Sequence, residues 1–114
     1  MSQPLTSFSA FWPFYCREHR KPLTRLLHLA GSLLAPVAAV STWIATGSAW
    51  ALGLYPLVGY GFAWAAHFFV EKNRPATFRY PFYSLAADYV MVWRMLTGRM
   101  DEEVRKADVL AKSG

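Results

Sequence analysis

Between Leu26 and Val70 the chain carries no Asp, Glu, Lys or Arg, and charge resumes on both sides, at Arg25 and Glu71. A membrane-crossing helix needs about 20 apolar residues at 1.5 Å per residue, so this stretch holds two such helices and a tight turn. Gly47-Ser48 is the natural turn. The pattern predicts span one over about 23–46 and span two over about 49–70, an antiparallel hairpin whose backbone polar groups are satisfied within each helix. Pro36 and Pro56 are expected to kink the two arms. Trp43 and Trp50 flank the turn while Trp12 and Trp64 lie toward the other end, as interfacial aromatic belts do. The plainer alternative is that these tryptophans are packing residues.

Outside the hairpin no apolar–polar alternation argues for strands, and there is no internal repeat. Phe8 to His19 reads as a short aromatic-rich helix, closed by basic residues before Pro22, which suits the first turn of span one. Pro75 and Pro81 punctuate the next connection. The apolar stretch over about 82–97 is short and contains Asp88 and Arg94, so it predicts an interfacial, re-entrant or bundle-packing helix rather than a full span. Over about 101–112, Asp101, Glu102 and Glu103 open a helix, and Asp101/Arg105, Glu102/Lys106 and Asp108/Lys112 are spaced as i,i+4 pairs. That pattern predicts a short solvated helix. The fold class is therefore all-α: one domain over 1–114, a membrane-embedded antiparallel hairpin with flanking short helices.

Composition narrows the class further. The chain is 54% hydrophobic, 17% charged and 17% aromatic, with a mean hydropathy of +0.17, which excludes disordered, collagen-like and coiled-coil chains. A lone cysteine, Cys16, makes no internal disulfide, and no Cys/His spacing matches a zinc finger. The net charge is +5, yet the basic residues bracket the apolar stretch instead of forming a stripe, so nucleic acid is not the expected partner. Arg17, Arg20, Lys21 and Arg25 precede the hairpin, Lys72, Arg74 and Arg79 follow it, and its turn is uncharged. This asymmetry predicts a multi-pass protein with both termini cytoplasmic, in the inner membrane of a bacterium or the endoplasmic reticulum of a eukaryote. The N-terminus lacks the basic start and cleavage site of a signal peptide.

The candidate chemistry lies at the cytoplasmic ends of the spans. His28 lies 19 residues before Gly47 and His67 lies 20 after it, so at 1.5 Å per residue both sit about 29 Å from the turn, at one level. Glu71 follows His67 by four residues and is expected on the same helix face. Lys21-Pro22 should break the helix after His19 and let the first segment fold back. Three histidines and a carboxylate suit Fe(II), Mn(II) or Zn(II), among which spacing does not choose. Each histidine alone is more simply a hydrogen-bonded side chain.

Two blocks of sequence resemble a known family. Phe14-Tyr15-Cys16-Arg17-Glu18-His19-Arg20-Lys21-Pro22, followed by Arg25-Leu26-Leu27-His28, is similar to the first signature of the 2-hydroxy fatty acid dioxygenase family, and His67-Phe68-Phe69-Val70-Glu71-Lys72-Asn73-Arg74-Pro75-Ala76 resembles the second. The resemblance implies a membrane enzyme that uses Fe(II) and O2 to shorten 2-hydroxy long-chain fatty acids by one carbon, as in phytosphingosine degradation. It implies His19, His28, His67 and Glu71 as the catalytic, iron-binding set. Lys72 or Arg74 would then fix the substrate carboxylate, or else anchor the helix end at the membrane surface. Asn73 would orient a ligand or cap the next turn. Asp88 is a substitute ligand, or a salt-bridge partner of Arg94 or of a histidine's second nitrogen.

The longer fungal members have further hydrophobic helices between the two blocks, and this chain has one hairpin. A buried acyl tunnel is hard to build in so short a chain, so a homodimer or a groove open to lipid is the expected remedy. Two other readings fit the residues: a different metal-dependent lipid enzyme, such as a zinc hydrolase, and a non-enzymatic membrane protein with structural histidines. A soluble helical bundle is a third.

Overall fold

The computed structural model describes residues 5–113, and among them every regular element is helical. Helix α1 (Phe8–Arg17) starts where the Ser7 hydroxyl accepts the Ala10 N–H at 3.1 Å, satisfying one of the donors a helix start leaves bare. Helix α2 (Pro22–Thr46) begins on a proline, whose fixed φ suits a first turn and whose missing N–H costs nothing there. It ends at Gly47, left-handed at φ 70°, whose N–H closes onto the Trp43 carbonyl at 2.8 Å.

The chain then returns along α2 in three consecutive helical forms rather than as one uninterrupted α-helix. These are a 3₁₀ stretch (Ala49–Gly53), α3 (Leu54–Ala65) and a π-helical segment (Ala66–Glu71). Gly53 falls at the first change of winding, and Pro56, which lacks an N–H, in the first turn of α3. With the returning arm so divided, α2 is the one helix among the described residues that is long and apolar enough to cross a membrane. The two arms approach closely at Gly31, where an added Cβ would stand 2.8 Å from Cβ of Phe62.

Beyond a short 3₁₀ turn (Ala76–Phe78) come α4 (Pro81–Leu96) and α5 (Met100–Ser113). The core sits at one end of the hairpin, where Phe11, Tyr15, Cys16, Ala87, Met91 and Met100 are packed together. Helix α5 is exposed along its charged face and docked along the other. Met100, Val104 and Ala107 form an i, i+4, i+7 stripe against this core. Two of the acids expected to pair within α5 instead pair across the fold: Asp101 with Arg25 at 2.6 Å and Asp108 with Arg20 at 2.5 Å. Glu102 keeps its expected partner, Lys106, at 3.6 Å. Glu103 accepts from the Trp12 indole at 2.7 Å.

Candidate metal centre

Three elements bring the histidines together. His19 lies in the break between α1 and α2, His28 is two turns into α2, and His67 lies in the π-helical segment. All three are buried. His28 Nε2 is 3.1 Å from His19 Nε2 and 3.2 Å from His67 Nε2, and one ring nitrogen from each histidine lies within 4.8 Å of the others.

The outer nitrogens explain which way the rings face. His19 Nδ1 is 2.7 Å from the Tyr15 carbonyl, which only accepts, so this nitrogen carries the proton. The Asn73 amide nitrogen donates to the Glu18 carbonyl at 3.1 Å, which turns its oxygen toward His67 Nδ1, 2.7 Å away. His67 is thereby protonated on Nδ1 as well. His28 Nδ1 faces the Asp88 carboxylate at 3.5 Å, and that carboxylate also accepts the Tyr15 hydroxyl at 2.5 Å. In the neutral imidazoles all three Nε2 lone pairs are therefore bare, and they converge.

Three converging acceptors repel unless a cation or a shared proton lies among them. Burial, followed by the neighbouring His28 and His67 rings, holds the His19 imidazole well below its ordinary pKa, which disfavours the proton. Imidazole nitrogens about 2.1 Å from one metal stand about 3.0–3.4 Å apart for octahedral to tetrahedral angles, and the two separations from His28 Nε2 fall in that range. The space they share with Ser84 and Asp88 is about 10 Å³, on the scale of one ion or water. The Ser84 hydroxyl, buried beside it, has no protein partner. The donor set, the spacing and this unpartnered hydroxyl all fit a divalent transition metal.

Glu71 is not one of the groups whose ligand atoms converge with those of the histidines. Its carboxylate accepts the Lys21 N–H at 2.6 Å and the Thr24 hydroxyl at 2.8 Å, so it ties the start of α2 to the end of the returning arm. Residues four apart stay near one face in either winding, so it is the Lys21 N–H and the Thr24 hydroxyl that draw this carboxylate to the start of α2. Lys72 adopts the left-handed conformation at φ 62° and is exposed. Arg74 is exposed over the Phe78 ring, 5.5 Å from its centroid. Asn73 comes back to His67 because its N–H bonds the His67 carbonyl at 2.9 Å. Asp88 takes the place of a partner to a histidine's second nitrogen.

Two residues at the centre carry no flag in the sequence reading. Tyr15 stacks on His19 with ring centroids 4.0 Å apart, and burial, then the Asp88 charge, raises its phenol well above the ordinary value, so it stays a donor. Ser84 precedes Asp88 by four residues, the α-helical spacing that places both on one face of α4.

The chain matches, over residues 5–100, the family described as 2-hydroxy-palmitic acid dioxygenase Mpo1-like. It belongs to that family. The match runs from before α1 to the start of α5, so it takes in every residue of the histidine centre. No curated protein and no solved structure matches the chain.

Proposed function

We propose that the chain is an Fe(II)-dependent dioxygenase that shortens 2-hydroxy long-chain fatty acids by one carbon with O2. The observation that supports this most is the convergence of His19, His28 and His67, with Nδ1 of His19 and of His67 held by acceptors behind the rings. His19, His28 and His67 hold the iron, and the family name supplies the substrate class. Iron(II), when bound, supplies the one-electron chemistry that lets ground-state O2 react with a closed-shell acid.

The chain's own residues do the rest. Tyr15, Asn73 and Asp88 orient the rings from outside through their second nitrogens and through stacking, as outer-shell partners of metal-bound histidines do. The Ser84 hydroxyl, unpartnered beside the histidines, is free to donate to a substrate hydroxyl or carboxylate. Glu71 stays in the proposal as a positioning residue that holds Lys21 and Thr24, and hence His19 and His28, in register with His67. Lys72 and Arg74 draw the substrate carboxylate to this end of the hairpin from the surface.

We further infer a membrane setting with both termini cytoplasmic. Only 17% of the apolar window of α2 is buried inside the protein, whereas a soluble core helix hides most of its surface. Leu33, Val37, Ile44, Leu57 and Phe69 are exposed along the two arms, an apolar face that a bilayer satisfies. A homodimer over this face is the expected alternative cover.

The test is metal analysis of detergent-purified protein reconstituted anaerobically with Fe(II), wild type beside His67→Ala, followed by O2 uptake with 2-hydroxypalmitate. The expected result is about one iron per chain, lost in the variant, and O2 uptake by the wild type alone. Zinc retained in preference to iron with no O2 uptake would favour the hydrolase reading. Absence of any bound metal would leave the histidines structural.

A further inference from the structure

The small space among the histidines shares His28, Ala63 and Asp88 with a larger cleft of about 280 Å³ between α2, α3 and α4. From His28 the α2 wall continues through Gly31 and Ala35, one helix face, and from Ala63 the α3 wall runs back through Gly59 toward the turn. The arms are antiparallel, so both walls lead the same way, out from the centre along the hairpin. These wall residues are glycine or alanine; the glycines let the two arms pack closely, and no large side chain from these positions fills the cleft. Beyond Asp88, the Tyr55 and Tyr89 hydroxyls are hydrogen-bonded to each other, and the Tyr89 hydroxyl lies 3.5 Å from the Ser32 carbonyl. That bridge joins α3, α4 and α2, the three walls.

We infer that this cleft is the channel for the substrate's acyl chain and that the Tyr55–Tyr89 bridge is its far stop, which sets how many methylenes are held. The inference rests on the proposed reading of the centre as one that takes a 2-hydroxy acid. A mostly apolar cleft with His28 and Asp88 at its inner end suits a tail whose head group lies at the histidines. At about 280 Å³ it takes part of a long chain, and carbons beyond the bridge pass into lipid. Each methylene seated in it strengthens binding about fourfold, the ratio that corresponds to burying one CH2; methylenes past the bridge add nothing. A plot of affinity against chain length therefore rises and then breaks.

The experiment is displacement of a fluorescent fatty acid from the Fe(II)-loaded, detergent-purified protein under anaerobic conditions, by 2-hydroxy acids of eight to eighteen carbons. Two variants move the break in opposite directions. A Cβ at Gly59 would meet Ala35 Cβ at an ordinary 3.7 Å, so Gly59→Ala fits the backbone, and its one added carbon narrows the channel and moves the break shorter by about one carbon. Tyr89→Ala removes the stop and moves it longer. A break that stays put in whichever variants keep their iron, or no break in the wild type, overturns the inference. A phospholipid of matching chains that displaces the probe as well as the free acid would also overturn it, because the cleft would then be an ordinary lipid contact. Because no turnover is involved, failure is separable from that of the dioxygenase reading: O2 uptake with an unmoved break removes only the channel, and a movable break shared by acids lacking the 2-hydroxyl, without O2 uptake, removes only the chemistry.

Discussion

His67 Nδ1 and Asn73 Oδ1 stand 2.7 Å apart, and the Asn73 amide nitrogen is held by the Glu18 carbonyl at 3.1 Å. The carbonyl only accepts, so the amide has one satisfied orientation, and His67 has one tautomer. A backbone group at the end of α1 thus decides which nitrogen of a histidine on the returning arm is free to bind. The left-handed turn at Lys72 makes this contact geometrically available.

Replacing Asn73 by Ala removes that lock while leaving His67 in place. Metal affinity is expected to fall about 10- to 100-fold, the usual effect of losing an outer partner of a metal-bound histidine. Titration of the metal-free protein with Co(II), followed by its visible absorption, measures it. Unchanged affinity would mean that His67 is oriented by packing alone.

Tyr15→Phe deletes the hydroxyl that donates to Asp88 and keeps the ring on His19. The buried hydrogen bond to a charged group is expected to be worth about 1.5–3 kcal/mol of stability. Thermal unfolding in detergent reads the loss directly. A Tm equal to that of wild type would show that Asp88 finds water or His28 instead.

Arg25 and Asp101 form an ion pair at 2.6 Å whose two ends differ, with side chains 6% and 88% exposed. Arg25 also donates to the carbonyls of His19 at 2.8 Å and Arg20 at 2.6 Å. Arg25→Ala is expected to destabilise by about 2–4 kcal/mol, since it leaves the His19 and Arg20 carbonyls without their donor. Asp101→Ala is expected to cost about 1 kcal/mol, because the guanidinium it leaves behind keeps both carbonyl acceptors. Equal losses in the two variants would refute the asymmetry.

The stability of the metal-free protein should depend on pH through His19. Its folded pKa is lowered below the ordinary 6.5 by burial, then by the other two rings. As pH falls through about 6.5 the unfolded chain takes up a proton that the folded chain does not, so stability drops across the window below 6.5 and levels off above it. A saturating divalent metal, which binds only the folded, neutral cluster, raises the Tm at every pH where it stays bound. Calorimetry between pH 5 and 8, with and without metal, tests both statements, and a flat metal-free profile would count against a neutral His19.

Some of this was legible without coordinates. The uncharged stretch from Leu26 to Val70 and the glycine at its middle place His28 and His67 at one level, because helix rise is fixed and both arms are helical. The prolines and the Gly47 turn mark where α2 starts and stops, since each acts on its own backbone. The two motif blocks pointed to the family, because motif residues keep their spacing along the chain.

Other features were decided only in three dimensions. Glu71 is spaced as a neighbour of His67, but its carboxylate is taken up by donors from the start of α2, Lys21 and Thr24. The solvated face of the tail is marked by its own charges, whereas α5 is also docked by the partners that α1 and the start of α2 offer to Asp101, Glu103 and Asp108. Tyr15 and Ser84 were unreadable as members of the centre because each reaches it from a different helix. The sequence by itself determined what depends on neighbours along the chain: helix lengths, breaks, and the level at which the histidines lie. Tertiary structure decided which nitrogen of each ring faces inward, because a tautomer is set by whichever acceptor the fold puts behind it, here Tyr15 and Asn73 and, at longer range, Asp88.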